Sequence, residues 1–198
     1  MSYSQDGQEQ FVIEYLKGLR NGYFLDIGAY DGIEFSNTFM LETEYNWNGL
    51  LVECDPAVVS RLKQNRKQQI ETSAMWSESD KEVQFKSIEM GKLSGIANRL
   101  NHPKASVRKG TIHTIKTISL NDLLRKYNCP KHINYMSLDV EGVEYDILST
   151  FDFQYTFDVV SIEHANDAES ITMLMENNGY QTAKVILKGG ETIFVRKE

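Results

Sequence analysis

The feature that most constrains this chain is a set of short runs that are apolar along nearly their whole length. "YFLDIG" (Tyr23 to Gly28), "GLLVEC" (Gly49 to Cys54), "INYMSLDV" (Ile133 to Val140) and "FDVVSIEH" (Phe157 to His164) are of strand length and flanked by turn residues. A strand that is apolar on both faces must be covered on both faces, which is the situation of a parallel sheet. Segments with helical spacing lie between the runs: Gln8 to Leu19, Ser36 to Glu44, Pro56 to Arg66, Leu120 to Tyr127, Glu144 to Ser149 and Asp167 to Asn178. The alternation predicts an α/β fold, a mostly parallel, doubly wound, twisted sheet with helices on both faces. "IETSAM" reads as a weak third strand, and "EVQFKSIE" and "TIHTIKTISL" alternate as half-exposed strands do. The tail "YQTAKVILKGGETIFVRK" reads as two strands around Gly189-Gly190, a C-terminal antiparallel hairpin expected at the sheet edge.

The 198 residues suit one domain, 1–198, opening with a helical segment over 1–20. No apolar run approaches the roughly 20 residues of a membrane span, and the polar start "MSYSQDGQEQ" is no signal peptide. The two cysteines, Cys54 and Cys129, suggest no disulfide framework, and a reducing, cytoplasmic setting is expected. The net charge of −7 argues against a nucleic-acid partner. Locally the balance reverses: Lys92 to Lys116 holds Lys92, Arg99, Lys104, Arg108, Lys109 and Lys116 and no acid. Within it, 90–111 is expected to be a loop, either a plain solvated one or a lid over a polar substrate.

In a doubly wound sheet ligands bind at the carboxyl ends of the strands, near the switch in strand order. "YFLDIGAYDG" supplies Asp26, Gly28, Ala29, Tyr30, Asp31 and Gly32 there. The spacing Asp-x-Gly-x-x-x-Gly is not the Gly-x-Gly-x-x-Gly of a nicotinamide site, and acids in the bend repel phosphate. They suit a ligand with a positive end and no phosphate, such as S-adenosylmethionine, with its sulfonium and ammonium. Glu53, 25 positions beyond Gly28 (53 − 28), stands about where an acid holding ribose hydroxyls belongs. Cys54 follows it. Ser36, Asn37 and Thr38 open the next helix, whose amides are expected to face the crevice. Ser73, Ala74 and Met75 end the third strand, beside the place expected for an adenine.

These motifs together resemble the FkbM-type S-adenosylmethionine-dependent methyltransferases. The likeness runs through "SQDGQEQFV", "GYFLDIGAYDG", "SNTFMLE", "WNGLLVECDP", "SGI" (Ser94 to Ile96), "SLDVEGVEYDIL" and "IEH". The resemblance implies a class I Rossmann-like methyltransferase fold, S-adenosylmethionine as donor with S-adenosylhomocysteine as product, and O-methylation of a sugar or other polyhydroxylated acceptor. It also leaves room for the chain to be a domain of a larger glycan-building protein. An alcohol is a poor nucleophile, so a base or a metal is expected at the reacting end. Asp139, Glu141, Glu163 and His164 end two of the buried strands and are the catalytic candidates, expected to converge on one crevice; Asp139 is also expected to face the donor. In one mechanism a His or carboxylate base works without metal; in the alternative Asp139, Glu141 and Glu163 hold a divalent ion. Ser94, Gly95 and Asn98 are candidates to touch the acceptor. His102, His113 and His132 read as surface residues. Two other readings stay open: a methyltransferase for a lipid or small metabolite, and a non-catalytic cofactor-binding module.

Overall fold

The computed structural model of the chain describes residues 3–88, 93–100, 108–164, 167–186 and 190–197. In chain order the elements are α1 (Gln8–Tyr15), β1 (Tyr23–Ile27), α2 (Phe39–Thr43), β2 (Asn48–Val52), α3 (Pro56–Asn65), β3 (Gln69–Glu71) and β4 (Ala74–Met75). There follow β5 (Glu82–Ile88), β6 (Gly95–Ile96), β7 (Gly110–Ile118), α4 (Leu120–Lys126), β8 (His132–Leu138), α5 (Glu144–Ser149), β9 (Thr156–Glu163), α6 (Ala168–Asn177), β10 (Tyr180–Ile186) and β11 (Glu191–Arg196).

The main sheet has seven strands in the order β10-β11-β9-β8-β1-β2-β3. The apolar runs are its centre, and β3, β2, β1, β8 and β9 all run parallel. Alternate residues of each strand feed two separate cores. Leu25, Ile27, Leu50, Val52, Met136, Leu138 and Ile162 pack with α4, α5 and α6. Phe24, Leu51, Tyr135, Val159 and Ile193 pack with α1, α2 and α3. The fully apolar strands are thus explained by helices on both faces. Local signals set the helix ends: Asp55 caps α3 by accepting from Ala57 N at 2.9 Å, with Pro56 at the first position. Ser119 accepts from Asp122 N at the start of α4. Helix α1 stops at Tyr15, short of the expected Leu19, because Lys17 and Gly18 turn left-handed (φ 53° and 73°).

The C-terminal hairpin stands at the sheet edge as expected, with β10 outermost and β11 between β9 and β10, antiparallel to both. The inner strand β11 is buried over Glu191–Val195, whereas β10 exposes its middle residues. One expectation needed correction: "IETSAM" is not one strand. It breaks into β3, at the edge of the main sheet, and β4, which joins β7, β5 and β6 in a separate four-stranded sheet. Gly189 of the turn expected at Gly189-Gly190 and part of the 90–111 loop lie outside the described residues, while Gly190 is left-handed (φ 69°). Among the described residues no helix is long and apolar enough to cross a membrane.

Candidate active site

Strand register builds the site. Val52, Ile27, Leu138 and Ile162 are successive partners across β2, β1, β8 and β9. One residue further along, on the face that carries α1–α3, the same row reads Glu53, Gly28, Asp139, Glu163 and then Glu191, which pairs with Glu163. Neighbouring strands lie about 4.8 Å apart, so Glu53 and Asp139 start about 10 Å from each other with only a glycine between them.

That glycine is demanded by the protein itself. Gly28 has φ 90°, and a Cβ on it would stand 1.7 Å from the carbonyl oxygen of Asp139. The bend beyond it is anchored to β2: Gly28 N and Ala29 N both donate to Val52 O, and Tyr30 N donates to Glu53 Oε2 at 3.0 Å. Tyr30 is left-handed (φ 50°), and Arg61 lies over its ring. Asp31 is spent locally, its Oδ1 accepting from Ile33 N and Glu34 N. Gly32 (φ 81°) turns where a Cβ would meet Leu62 and Arg66 at 2.6 Å.

The start of α2 differs from expectation. Ser36 Oγ takes the amides of Thr38 and Phe39, at 3.3 and 3.1 Å, so those amides are not free for a ligand. Thr38 is fully buried and donates to Asp26 at 2.5 Å. Arg66, itself buried, donates to Thr38, Ser36, Gly32 O and Glu42. Burial pushes the Asp26 carboxyl up, against the pull of the Arg66 charge and the Thr38 hydroxyl. Asp26, Ser36 and Thr38 therefore stand in a buried network that braces the bend. Asn37 alone of 36–38 faces the crevice, donating to Ser137 Oγ at 2.9 Å while its Oδ1 is buried with no partner.

The carboxyls of the row are held high. Asp139 is raised well above the usual range by burial and by the Glu163 charge beside it. Burial chiefly lifts Glu163 to about 7, with the charges of Glu141, Glu191 and Glu144 adding to it. The two are hydrogen-bonded to each other, which requires a proton between them. Glu141 is raised to about 8, by burial first and then by Asp139 and Glu144. It is left-handed (φ 63°) in a loop closed by Glu144, whose carboxylate accepts from Val140 N and Gly142 N. Residue Gly95 of "SGI" packs against this loop, where a Cβ would lie 3.4 Å from Glu141 Cβ. Glu53 is lifted to about 7 by burial, although Asp55 N and Tyr30 N donate to it.

His164 does not join them. It follows Glu163 and so projects to the opposite face, where its Nε2 meets Thr192 Oγ1 at 2.8 Å and burial lowers its pKa. The four catalytic candidates thus divide into Asp139, Glu141 and Glu163 on one side and His164 on the other.

The N-terminal segment crosses the crevice. Ser4 Oγ accepts from Gly7 N and Gln8 N, Ser4 donates to the buried Glu9, and Gln8 Nε2 donates to Glu191. Gln5, Asp6, Gln8, Phe35, Asn37, Ser137, Leu138, Asp139, Glu163 and Glu191 line a small crevice that opens to solvent.

Of the third-strand residues, Ala74 and Met75 are buried in the core, and Ser73 is half-buried with its amide donating to Glu71. Cys54 stays a thiol, pushed well up by burial and the Glu53 and Asp55 charges. Ser94 Oγ accepts from Ile88 N. Among the described residues no three His, Cys, Asp or Glu side chains are arranged to hold an ion, the Asp139, Glu141 and Glu163 alternative included.

Sequence reasoning missed Arg66, Glu144 and Glu191. The row itself gave a usable signal for Glu191, since an acid opening an otherwise apolar strand is out of place in a core. The donor set fits a cationic adenosyl ligand. Carboxylates flank a position with no side chain, and the unpartnered Asn37 oxygen accepts but does not donate.

No curated protein matches the chain at a significant level. Similarity to solved structures is distant. A precorrin-6y C5,15-methyltransferase from Geobacter metallireducens is 9% identical over 96% of this chain and 88% of its own, with a TM-score of 0.48. A methyltransferase from Pyrococcus furiosus is 16% identical over 96% and 83%, TM-score 0.42. A SAM-dependent methyltransferase from Aquifex aeolicus is 10% identical over 97% and 92%, TM-score 0.40. The profile of the methyltransferase FkbM domain matches residues 26–182, which span the glycine bend, Glu53 and the acids from Asp139 to Glu163. The chain therefore belongs to the FkbM methyltransferase domain family and is a methyltransferase that uses S-adenosylmethionine.

Proposed function

We propose that residues 1–198 act as one domain that transfers a methyl group to a hydroxyl of a sugar or glycan. The observation that carries this reading is the row Glu53, Gly28, Asp139, Glu163. Glu53 is placed to accept from ribose hydroxyls, Asn37 Oδ1 and the crevice acids to face the positive end of the donor, and Gly28 to let it lie against the backbone. S-adenosylmethionine, when bound, supplies an already activated methyl group. What remains for the protein is to position the acceptor and remove its proton. An alcohol needs a base whose pKa lies near the working pH. Glu163 at about 7 and Glu141 at about 8 fall there. Asp139, which shares a proton with Glu163, is placed to pass that proton along the pair. His164, on the other face, is a positioning residue for β11 in this scheme.

Carboxylates that accept from hydroxyls favour a polyol over a lipid tail as acceptor, and the crevice lining is mostly polar. The test incubates the protein and S-adenosylmethionine with a panel of mono- and oligosaccharides. Mass spectrometry reads the methylated acceptor. Turnover is expected on a saccharide, unchanged in excess chelator and lost by about a hundredfold or more in Glu163→Gln, with donor affinity kept. Methylation of lipid or small-metabolite acceptors with none of any saccharide would overturn the glycan reading. Loss of turnover in chelator would restore the metal mechanism.

A further inference from the structure

We propose that Asp6, on the N-terminal segment, holds the α-ammonium of the donor. This rests on the donor lying in the crevice as proposed above, and it names the residue that receives the donor's charged tail. An acid just before a helix is commonly its cap, but Asp6 is not. Ser4 Oγ takes the amides of Gly7 and Gln8, both at 3.1 Å, and Gly7 stands at the cap position with φ 79°. Asp6 is held through its backbone instead, its N–H donating to Gln8 Oε1 at 3.0 Å. Gln8 Nε2 in turn donates to Glu191, and Tyr3 N donates to the buried Glu9 at 2.8 Å. The segment is thus fastened on both sides of Asp6, and Asp6 lines the crevice together with Asn37, Asp139 and Glu163.

Four carboxyls line this crevice: Asp6, Asp139, Glu163 and Glu191. Three are already engaged. Asp139 and Glu163 are hydrogen-bonded to each other, and Glu191 accepts from Gln8 and Ser161. The acids of the glycine bend are engaged as well, Asp26 with Thr38 and Asp31 with the amides of Ile33 and Glu34. Among the described residues no hydrogen-bond donor reaches the Asp6 carboxylate, whose charge bears on Glu191. A carboxylate facing other acids is unfavourable by itself and is relieved by a cation that donates. The α-ammonium of S-adenosylmethionine is such a cation, with three N–H donors. Asn37 Oδ1, buried with no partner, is a second acceptor for it on the crevice wall. With the sulfur facing the Asp139–Glu163 pair, the chain beyond it runs on toward Glu191 and Asp6. The α-carboxylate of the same tail is repelled by the acids and turns to the open mouth.

The experiment measures binding by calorimetry, not turnover, with three ligands that differ in the tail. S-adenosylhomocysteine carries ammonium and carboxylate. Its decarboxylated analogue, with an aminopropyl chain, keeps the ammonium alone. 5′-Methylthioadenosine has neither charge. Wild type is expected to bind the aminopropyl analogue more tightly than 5′-methylthioadenosine. Asp6→Asn keeps the side chain's shape and the backbone bond to Gln8. It should weaken S-adenosylhomocysteine and the aminopropyl analogue at least about tenfold and leave 5′-methylthioadenosine within about twofold. Asp6→Ala should repeat this pattern, and Glu53→Ala should weaken all three ligands alike. Equal losses of all three in Asp6→Asn, or no loss of any, would overturn the ammonium assignment while leaving the donor in its crevice. A wild type that binds the aminopropyl analogue no better than 5′-methylthioadenosine would overturn it as well. A Glu53→Ala variant that binds all three as wild type does would take the donor out of this crevice, and the Asp6 assignment with it. The saccharide reading stands or falls separately, since no acceptor enters the measurement.

Discussion

Glu163→Gln should stabilise the ligand-free protein at high pH, and the size follows from the site. In the folded chain the Glu163 carboxyl is raised from 4.5 to about 7. An acid raised by folding binds more protons in the native state than in the unfolded one. Its contribution to stability is therefore present below about pH 4.5 and declines as pH rises through about 7. At about 1.4 kcal/mol per decade of pKa, the fully developed cost of ionising Glu163 is about 3 kcal/mol. The proton shared with Asp139 and the partial hydration of the crevice reduce this to about 1–2 kcal/mol. Glutamine removes the cost, and its amide can donate to an ionised Asp139, so the hydrogen bond survives. For a chain of this size 1 kcal/mol moves the melting temperature by about 2–4 °C. The variant should therefore melt about 2–8 °C above wild type at pH 8, with the gap closing at pH 5. Urea titrations and thermal melts at both pH values are the assay. A variant as stable as wild type, or less so, at pH 8 would refute the idea that burial, with the neighbouring acids adding to it, makes an ionised Glu163 costly at this end of the sheet.

Three further outcomes follow. Gly28→Ala should cost at least about 3 kcal/mol of stability, because its methyl has no room beside the Asp139 carbonyl; an unchanged urea midpoint would contradict the packing. Glu53→Ala should weaken S-adenosylmethionine by about 1–3 kcal/mol, the range for hydrogen bonds to a charged group, read by calorimetry; affinity within experimental error of wild type would remove Glu53 from the donor site. His164→Ala should leave the first-order rate of methyl transfer within about threefold and lower stability by about 1 kcal/mol, the worth of its bond to Thr192; a loss of turnover with stability intact would return His164 to the reaction.

Much of the fold was legible because it depends on local pattern. Runs such as "GLLVEC" and "INYMSLDV" announce strands covered on both faces, and Asp55-Pro56 and Ser119 announce helix starts. What was not legible depends on pairing across the chain. Alternation in "TIHTIKTISL" shows a half-exposed strand but not that β7 belongs to a second sheet with β4, β5 and β6. The hairpin signal at the C-terminus gives two adjacent strands but not that β11 slips between β9 and β10. The site divides in the same way. Gly28, Glu53, Asp139 and Glu163 could be named because each ends an apolar strand, and register then aligns them. His164 was grouped with Glu163 because neighbours in sequence look like neighbours in space. In a strand they point to opposite faces. Ser36, Thr38 and Asp26 were read as ligand contacts because nothing in the sequence reveals that Arg66, beyond the end of α3, folds back beneath them.

The most direct test is a crystal structure with S-adenosylhomocysteine bound. The account predicts ribose hydroxyls within hydrogen-bond distance of Glu53, the backbone of the Gly28 bend against the ligand, and the sulfur on the Asp139 side of that bend, facing the Asp139–Glu163 pair. Ribose held by residues other than Glu53, or a sulfur directed toward His164 and the opposite face of the sheet, would contradict it.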